Sequence, residues 1–177
     1  MKNFKKDRGF SLIELLIVVV VIGIVAAIAV PNLMSARRAA NEGSTVGALR
    51  TIHSAEAMYY ATKGNYNYGT AAQLYNAHMI DQTVAAAHNV NVGGNPATNT
   101  AKAGYRFRIQ VTSNDPTTGS QSTFVVSGRP ATTAGVTQTG VKRYCMTDVG
   151  VIKSDTASLG THFNYNRCNQ ASAFENL

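Results

Sequence analysis

Residues Phe10 to Val30 read FSLIELLIVVVVIGIVAAIAV, a run interrupted only by Ser11, Glu14 and Gly23. At about 1.5 Å per residue, a helix of this length spans roughly 30 Å, the thickness of a bilayer hydrocarbon core. Ahead of it, Lys2, Lys5, Lys6 and Arg8 outweigh Asp7. A basic cluster in that position marks the cytoplasmic side of a membrane span. The bulk of the chain is therefore expected to begin outside the inner membrane.

Two simpler accounts of this block compete. A secretory signal peptide is one, because Ala27-Ile28-Ala29 has the small-residue pattern of a cleavage site. The uncharged run from Leu15 to Val30 is long for such a core, however, and Glu14 stands where an ordinary signal is apolar. A plain single-span anchor is the other, and it gives no reason to keep Glu14. A carboxylate at a helix centre in lipid costs on the order of 2.5–3.5 kcal/mol on insertion scales, less near the interface. Snorkelling of Glu14 to the cytoplasmic face would lower that cost without any further role.

The whole chain has 177 residues, 45% of them hydrophobic and only 14% charged. That is enough for one ordinary domain. The net charge of +7 looks like a nucleic-acid balance until it is located. Much of it sits in the first eight residues, and no long basic run remains elsewhere, so no specific nucleic-acid partner is implied. Two cysteines and no tryptophan exclude a disulfide-dense scaffold and a four-thiolate zinc site.

The charged stretch Met1 to Gly9, followed by Phe10-Ser11-Leu12-Ile13-Glu14-Leu15-Leu16 and the long apolar run to Pro31, resembles the class III signal of type IV pilins and type II secretion pseudopilins. The resemblance implies that an inner-membrane prepilin peptidase cuts between Gly9 and Phe10 and methylates the new Phe10 amine. It implies that Glu14, fifth in the product, pairs with the Phe10 amine of a neighbouring subunit. Residues 1–9 would be a removed leader, 10–31 the membrane and filament-core helix, 32–63 its amphipathic continuation, and 64–177 the globular head. The partners implied are further copies of the chain in a helical homopolymer, the peptidase and methyltransferase, an inner-membrane assembly platform, and lipid before assembly. The chain would wait in the inner membrane with its head in the periplasm and end in a cell-surface filament. No cofactor and no catalytic residue are implied. In related filaments the helix loosens between residues such as Gly23 and Pro31, since glycine lowers helix propensity and proline removes a backbone bond.

Beyond Pro31 helical periodicity continues. Leu33, Ala36, Ala40, Val46, Leu49, Ile52 and Tyr59 recur at three- or four-residue intervals or their multiples, and Gly64 reads as a helix stop. One helix of about 50 residues is expected, its second half packed on the head. Gly64 to Gly69 reads as a turn-rich loop, Thr70 to His78 as a short helix, and the polar stretch Asn89 to Lys102 as an exposed loop. Tyr105 to Val111 alternates apolar with polar, as a half-buried antiparallel strand does. Ser122 to Ser127, Val141 to Met146 and Val149 to Lys153 read as further strands, with a turn at Asn114-Asp115-Pro116 and another at Thr147-Asp148. The fold class expected is α+β: one long N-terminal helix laid on an antiparallel sheet of three to four strands.

Other constellations are weak. In an oxidising compartment Cys145 and Cys168 favour a disulfide over a metal pair or a catalytic thiol. His53, His78, His88 and His162 are scattered, without the spacing of a metal site on one helix. Asp148 and Asp155 could help hold calcium, as acidic residues do in some secretion pseudopilins, but their spacing does not fit an EF-hand and a solvated turn suits them better. Tyr59, Tyr60, Tyr66 and Tyr68 form the densest aromatic cluster, best explained by packing at the helix–sheet junction. The leading expectation is a non-enzymatic pilus subunit. A secretion pseudopilin and, in a different class, a membrane-anchored envelope binding module are the alternatives.

Overall fold

A computed structural model describes residues 10–88, 100–114, 117, 119–157, 159–170 and 175–176. Residues 1–9, most of the expected 89–102 loop, and Asp115 and Pro116 of the expected turn lie outside the described residues. The first helix, α1, runs from Leu12 to Thr62 over 51 residues and contains Pro31. The chain divides into two compact units, residues 1–36 and residues 37–177.

In the first unit every residue from Phe10 to Leu33 is exposed. The helix forms there from local bonding alone, with its Leu, Val and Ile side chains contributing nothing to a core within the chain. It passes through Gly23 and Pro31 without a break in its assigned span. Pro31 nonetheless leaves the Ala27 carbonyl without its usual donor four residues on.

In the second unit α1 buries Thr45, Ala48, Leu49, Ile52, Ala55 and Glu56, a spacing of three and four that makes one stripe. That stripe packs with Phe107, Ile109, Phe124, Val126, Tyr144, Met146 and Ile152 of the sheet in one core. Gly128 permits the approach: a Cβ there would stand 2.7 Å from Thr45 Cγ2. The expected apolar stripe began too early. Leu33, Ala36 and Ala40 are exposed, and the turns of α1 just before Thr45 contact the head through polar groups instead. Arg38 Nε donates to the Gln138 carbonyl at 3.2 Å and Asn41 Nδ2 to the Thr139 carbonyl at 2.9 Å. Glu42 accepts from the Val141 amide at 2.7 Å and from the Tyr144 hydroxyl at 3.1 Å.

After α1, two short helices follow, α2 at Ala71–Asn76 and α3 at Gln82–Ala87. Thr70 and Gln73 close a reciprocal capping box on α2, and the Asp81 carboxylate caps α3 by accepting from the Val84 amide. Helix α3 was not expected, because six residues are too few to show a period. The sheet is an antiparallel meander in the order β1 (Tyr105–Thr112), β2 (Thr123–Pro130), β3 (Arg143–Thr147), β4 (Ile152–Asp155) and β5 (Glu175–Asn176). β5 adds two residues beyond the strands expected. β2 runs three residues past Ser127 because β1 pairs along its full length, Tyr105 opposite Pro130. β4 starts at Ile152 rather than Val149. The intervening turn uses Gly150 at φ +81°, whose amide donates to the Thr147 carbonyl at 2.9 Å.

The outer face of the sheet is covered by the C-terminal segment and its helix α4 (Tyr165–Asn169). Val125, Cys145, Phe163 and Cys168 form a second, smaller core there. This is why every residue of β3 is buried.

Candidate functional site

The N-terminal site is built from Phe10, Ser11 and Glu14. The sequence Ser11-Leu12-Ile13-Glu14 places a carboxylate three residues after a serine, and the Ser11 amide donates to Glu14 Oε2 at 2.9 Å. That is one half of a capping box, which satisfies a backbone donor that an N-terminus otherwise leaves unpaired. Glu14 also stands in the first turn, where the helix dipole favours negative charge. The expectation weighed Glu14 only as a pairing or snorkelling group. The S-x-x-E spacing was the signal for this third role. Phe10 is 73% exposed beside it. Gly9, the other half of the expected scissile bond, lies outside the described residues. Gly23 and Pro31 both lie within the helical span.

In the head, Cys145 and Cys168 form a disulfide with Cα atoms 6.1 Å apart. It ties β3 to α4 and so holds the C-terminal segment on the sheet. Beside it Arg143, fully buried, pairs with Asp155 at 2.7 Å and donates to Thr161 Oγ1 at 2.8 Å. Its guanidinium lies 4.1 Å from the centre of the Phe163 ring. Asp148 accepts from the Tyr165 hydroxyl at 2.9 Å. The two aspartates weighed as calcium ligands are thus each engaged with a separate side chain. Tyr60, Tyr66 and Tyr68 interlock at centroid distances of 4.8–5.7 Å, and Tyr68 packs on Phe124 at 4.7 Å.

Two features of the head were not legible beforehand. Glu56 is completely buried inside the α1 stripe and accepts from the Gly69 amide at 2.8 Å, while its Oε1 has no partner. Burial pushes its carboxyl up to about 8, against the lowering effect of the Gly69 bond. The second feature concerns the histidines. His53 stacks near Phe124 at 5.7 Å and His78 is exposed, but His88 and His162, 74 residues apart in the sequence, line one cavity together with Arg106, Arg108 and Arg129. Arg106 and Arg108 were the available signal, as alternate residues on the outward face of a strand.

Comparison with known proteins bears on the N-terminal site. A family model described as the prokaryotic N-terminal methylation motif matches residues 4–30. The chain is 40% identical over 70 residues to the type IV wide pilus major component PilA4 of Thermus thermophilus, covering 40% of this chain and 53% of that protein. It is 37% identical over 62 residues to the type IV major pilin protein PilA of Myxococcus xanthus, covering 35% of this chain and 28% of that protein. It is 36% identical over 73 residues to the type II secretion system core protein G of Escherichia coli, covering 41% and 49%. The matches therefore span about half or less of these relatives' own length. No solved structure matches the chain. An exposed apolar helix that opens on Phe10 and a capping Glu14, joined to an α+β head, thus carries the prokaryotic N-terminal methylation motif and is similar to type IV pilins and type II secretion core proteins.

Proposed function

We propose that this chain is a structural, non-enzymatic subunit of a type IV pilus, made as a membrane-held precursor and polymerised through its N-terminal helix. A prepilin peptidase cuts between Gly9 and Phe10 and the Phe10 amine is methylated. Cutting ahead of the apolar run, rather than after it, keeps the helix in the product. Residues 10–31 first hold the subunit in the inner membrane, with the head (64–177) in the periplasm, and then become the filament core. Residues 32–63 continue the helix onto the head. The assembly platform in the inner membrane draws subunits from this pool into a filament on the cell surface.

One observation carries this reading: fifteen large apolar side chains between Phe10 and Val30 are exposed on the isolated chain. Fully burying each is worth roughly 1.5–3 kcal/mol, or about 20–45 kcal/mol together. Lipid supplies that environment before assembly, and the helices of other subunits supply it afterwards. Apolar burial is not directional, so it fixes no axial offset between subunits. Glu14 supplies the direction. Opposite charges about 4 Å apart attract by about 4 kcal/mol at an effective dielectric near 20, before desolvation. Either charge left alone in such a core costs several kcal/mol. Only the offset that brings Glu14 to the Phe10 amine of a neighbour satisfies both. Gly23 and Pro31 mark where the helix loosens when the subunit moves from lipid to filament.

Glu14→Gln and Glu14→Val, each expressed as the sole pilin, test the pairing. Gln keeps an acceptor for the Ser11 amide and loses only the charge, whereas Val loses both. Processing and membrane insertion should persist in both variants, and sheared surface filaments should fall sharply in both. Normal filaments from Glu14→Gln alongside loss from Glu14→Val would reduce Glu14 to a helix cap.

The similarity to secretion core protein G supports a second reading, a pseudopilus subunit with the same helix chemistry. Rescue of surface filaments in a strain lacking its main pilin supports the pilus. Rescue of secretion alone, in a strain lacking its core protein, supports the pseudopilus.

A further inference from the structure

The outer face of the sheet carries an unusual grouping of cations. Arg106 on β1 stands directly opposite Arg129 on β2, and Arg108, two residues along, stands opposite Ser127. All three side chains occupy the face away from the α1 core, since Tyr105, Phe107 and Ile109 take the other. His88, at the end of α3, and His162, from the C-terminal segment, close the same cavity, whose volume is about 290 Å³. Ser127 Oγ lies 2.9 Å from His162 Nδ1. His88 Nε2 lies 3.1 Å from the Ile109 carbonyl and so donates to it, which leaves Nδ1 as a buried nitrogen without a partner.

This arrangement costs stability. Like charges directly opposite across an antiparallel pair destabilise a sheet. The Nε atoms of Arg106 and Arg129 are buried with no hydrogen-bond partner, and unsatisfied buried donors carry a desolvation penalty. The head carboxylates whose side chains are described do not relieve it. Glu42 is held by Val141 and Tyr144, Glu56 by Gly69, Asp81 by Lys102, Asp148 by Tyr165 and Asp155 by Arg143. None of them lines the cavity. Arg143, by contrast, is fully buried and has its carboxylate in Asp155. The positive field is also felt by the histidines. Burial, then Arg129 and Arg108, press His162 down to about 3, and burial and Arg108 lower His88. Burial and Arg106 together lower Arg129.

From this geometry we infer that the cavity bounded by Arg106, Arg108, Arg129, His88 and His162 is a binding site for a phosphate-type oxyanion. Planar guanidinium forks suit tetrahedral oxyanions, binding them through paired charge-assisted hydrogen bonds. Three guanidiniums offer more donors than the two oxygens of a carboxylate accept well, which favours a phosphate group over an acidic side chain. A dianion there would neutralise the Arg106–Arg129 repulsion and give the buried Nε atoms an acceptor. The ligand is either free phosphate or the phosphate ester of a sugar. The inference concerns the head alone and does not depend on which filament the chain enters.

Calorimetric titration of the full chain in detergent micelles tests it, with inorganic phosphate and then a hexose 6-phosphate as probes at constant ionic strength. One phosphate should bind per chain, and the ring resonances of His162 should shift with it. Paired Arg106→Gln and Arg129→Gln substitutions should weaken binding by about ten-fold or more. Without ligand the same variant should melt no lower than the parent, because the cross-strand repulsion is gone. Arg108→Gln, at an exposed position, provides a second variant that should lose affinity without any risk to the fold. Equal affinity for both probes assigns the site to the phosphate group itself, and tighter hexose phosphate binding assigns it to a phosphorylated carbohydrate. No saturable phosphate uptake, a response matched by sodium chloride, or unchanged affinity in both variants would overturn the inference.

Discussion

Residues 12–36 and residues 37–62 belong to one helix, α1, yet they solve opposite problems. The first stretch has almost no polar side chains and buries nothing within the chain. The second mixes polar and apolar side chains in about equal number and buries six residues in one stripe. Apart from the donor missing at Pro31, helical bonding runs through both, so secondary structure does not distinguish them. Their solvents do. A stripe of apolar residues is enough where the helix meets a sheet on one side, whereas an apolar surface all round requires an apolar environment all round. Glu14 and Glu56 make the same contrast for charge. Glu14 is exposed at a helix start and available to a partner, while Glu56 is sealed into the head with a single backbone donor.

The comparison is sharpened most by truncating one isoleucine from each stretch. Ile52→Ala removes a fully buried side chain from the head core and should cost about 2–5 kcal/mol. Ile22→Ala, at a position 61% exposed, should leave head stability within about 0.5 kcal/mol. Urea unfolding in micelles, followed by tyrosine fluorescence in this tryptophan-free chain, measures both. Equal losses would mean that the two stretches share one cooperative core. The Cys145–Cys168 crosslink is next in size. Replacing both cysteines by alanine should cost roughly 3 kcal/mol for a loop of this length and free the C-terminal segment from β3. Peptide mapping without reduction should recover the linked fragments from the parent protein.

Glu56 tests the charge side of the comparison through its dependence on pH. Its carboxyl titrates near 8 in the folded head and near its ordinary value of 4.5 when unfolded. Between those values the folded state holds the proton more tightly, so stability falls as pH rises from about 4.5 to about 8 and is level above that. Glu56→Gln should remove this slope and raise stability at pH 8 relative to the parent. A parent whose stability is flat across that window would show that Glu56 is not sealed from water.

Much of this architecture is readable from the sequence because long periods and alternation survive without tertiary help. The apolar block, the stripe from Val46 to Tyr59, and Tyr105 to Val111 all announce themselves. What escaped had a tertiary cause. Leu33, Ala36 and Ala40 continue the helical period but meet no core, since Arg38, Asn41 and Glu42 hold the neighbouring 138–142 segment through polar contacts instead. Gly128 to Pro130 look like a strand end, yet pairing with Tyr105 to Phe107 keeps them in β2. Helices α3 and α4 are set by the Asp81 and Asn164 caps over five or six residues, too short for a period. At the N-terminal site, Glu14 is legible as a costly charge, and the S-x-x-E spacing also carries the signal for its cap on Ser11. The Arg106–Arg129 pairing depends on a register that no local pattern contains.

The central claim is that the exposed apolar stretch is kept, with a new N-terminus at Phe10, and is not removed. Intact-mass measurement and N-terminal sequencing of the protein recovered from envelopes and sheared filaments test it directly. The account predicts one mature species that begins at Phe10 and carries a methyl group on its amine, with Gly9→Trp leaving uncut precursor in the membrane. A mature chain beginning at Val30, or one that retains Met1 to Gly9 in assembled filaments, would contradict it.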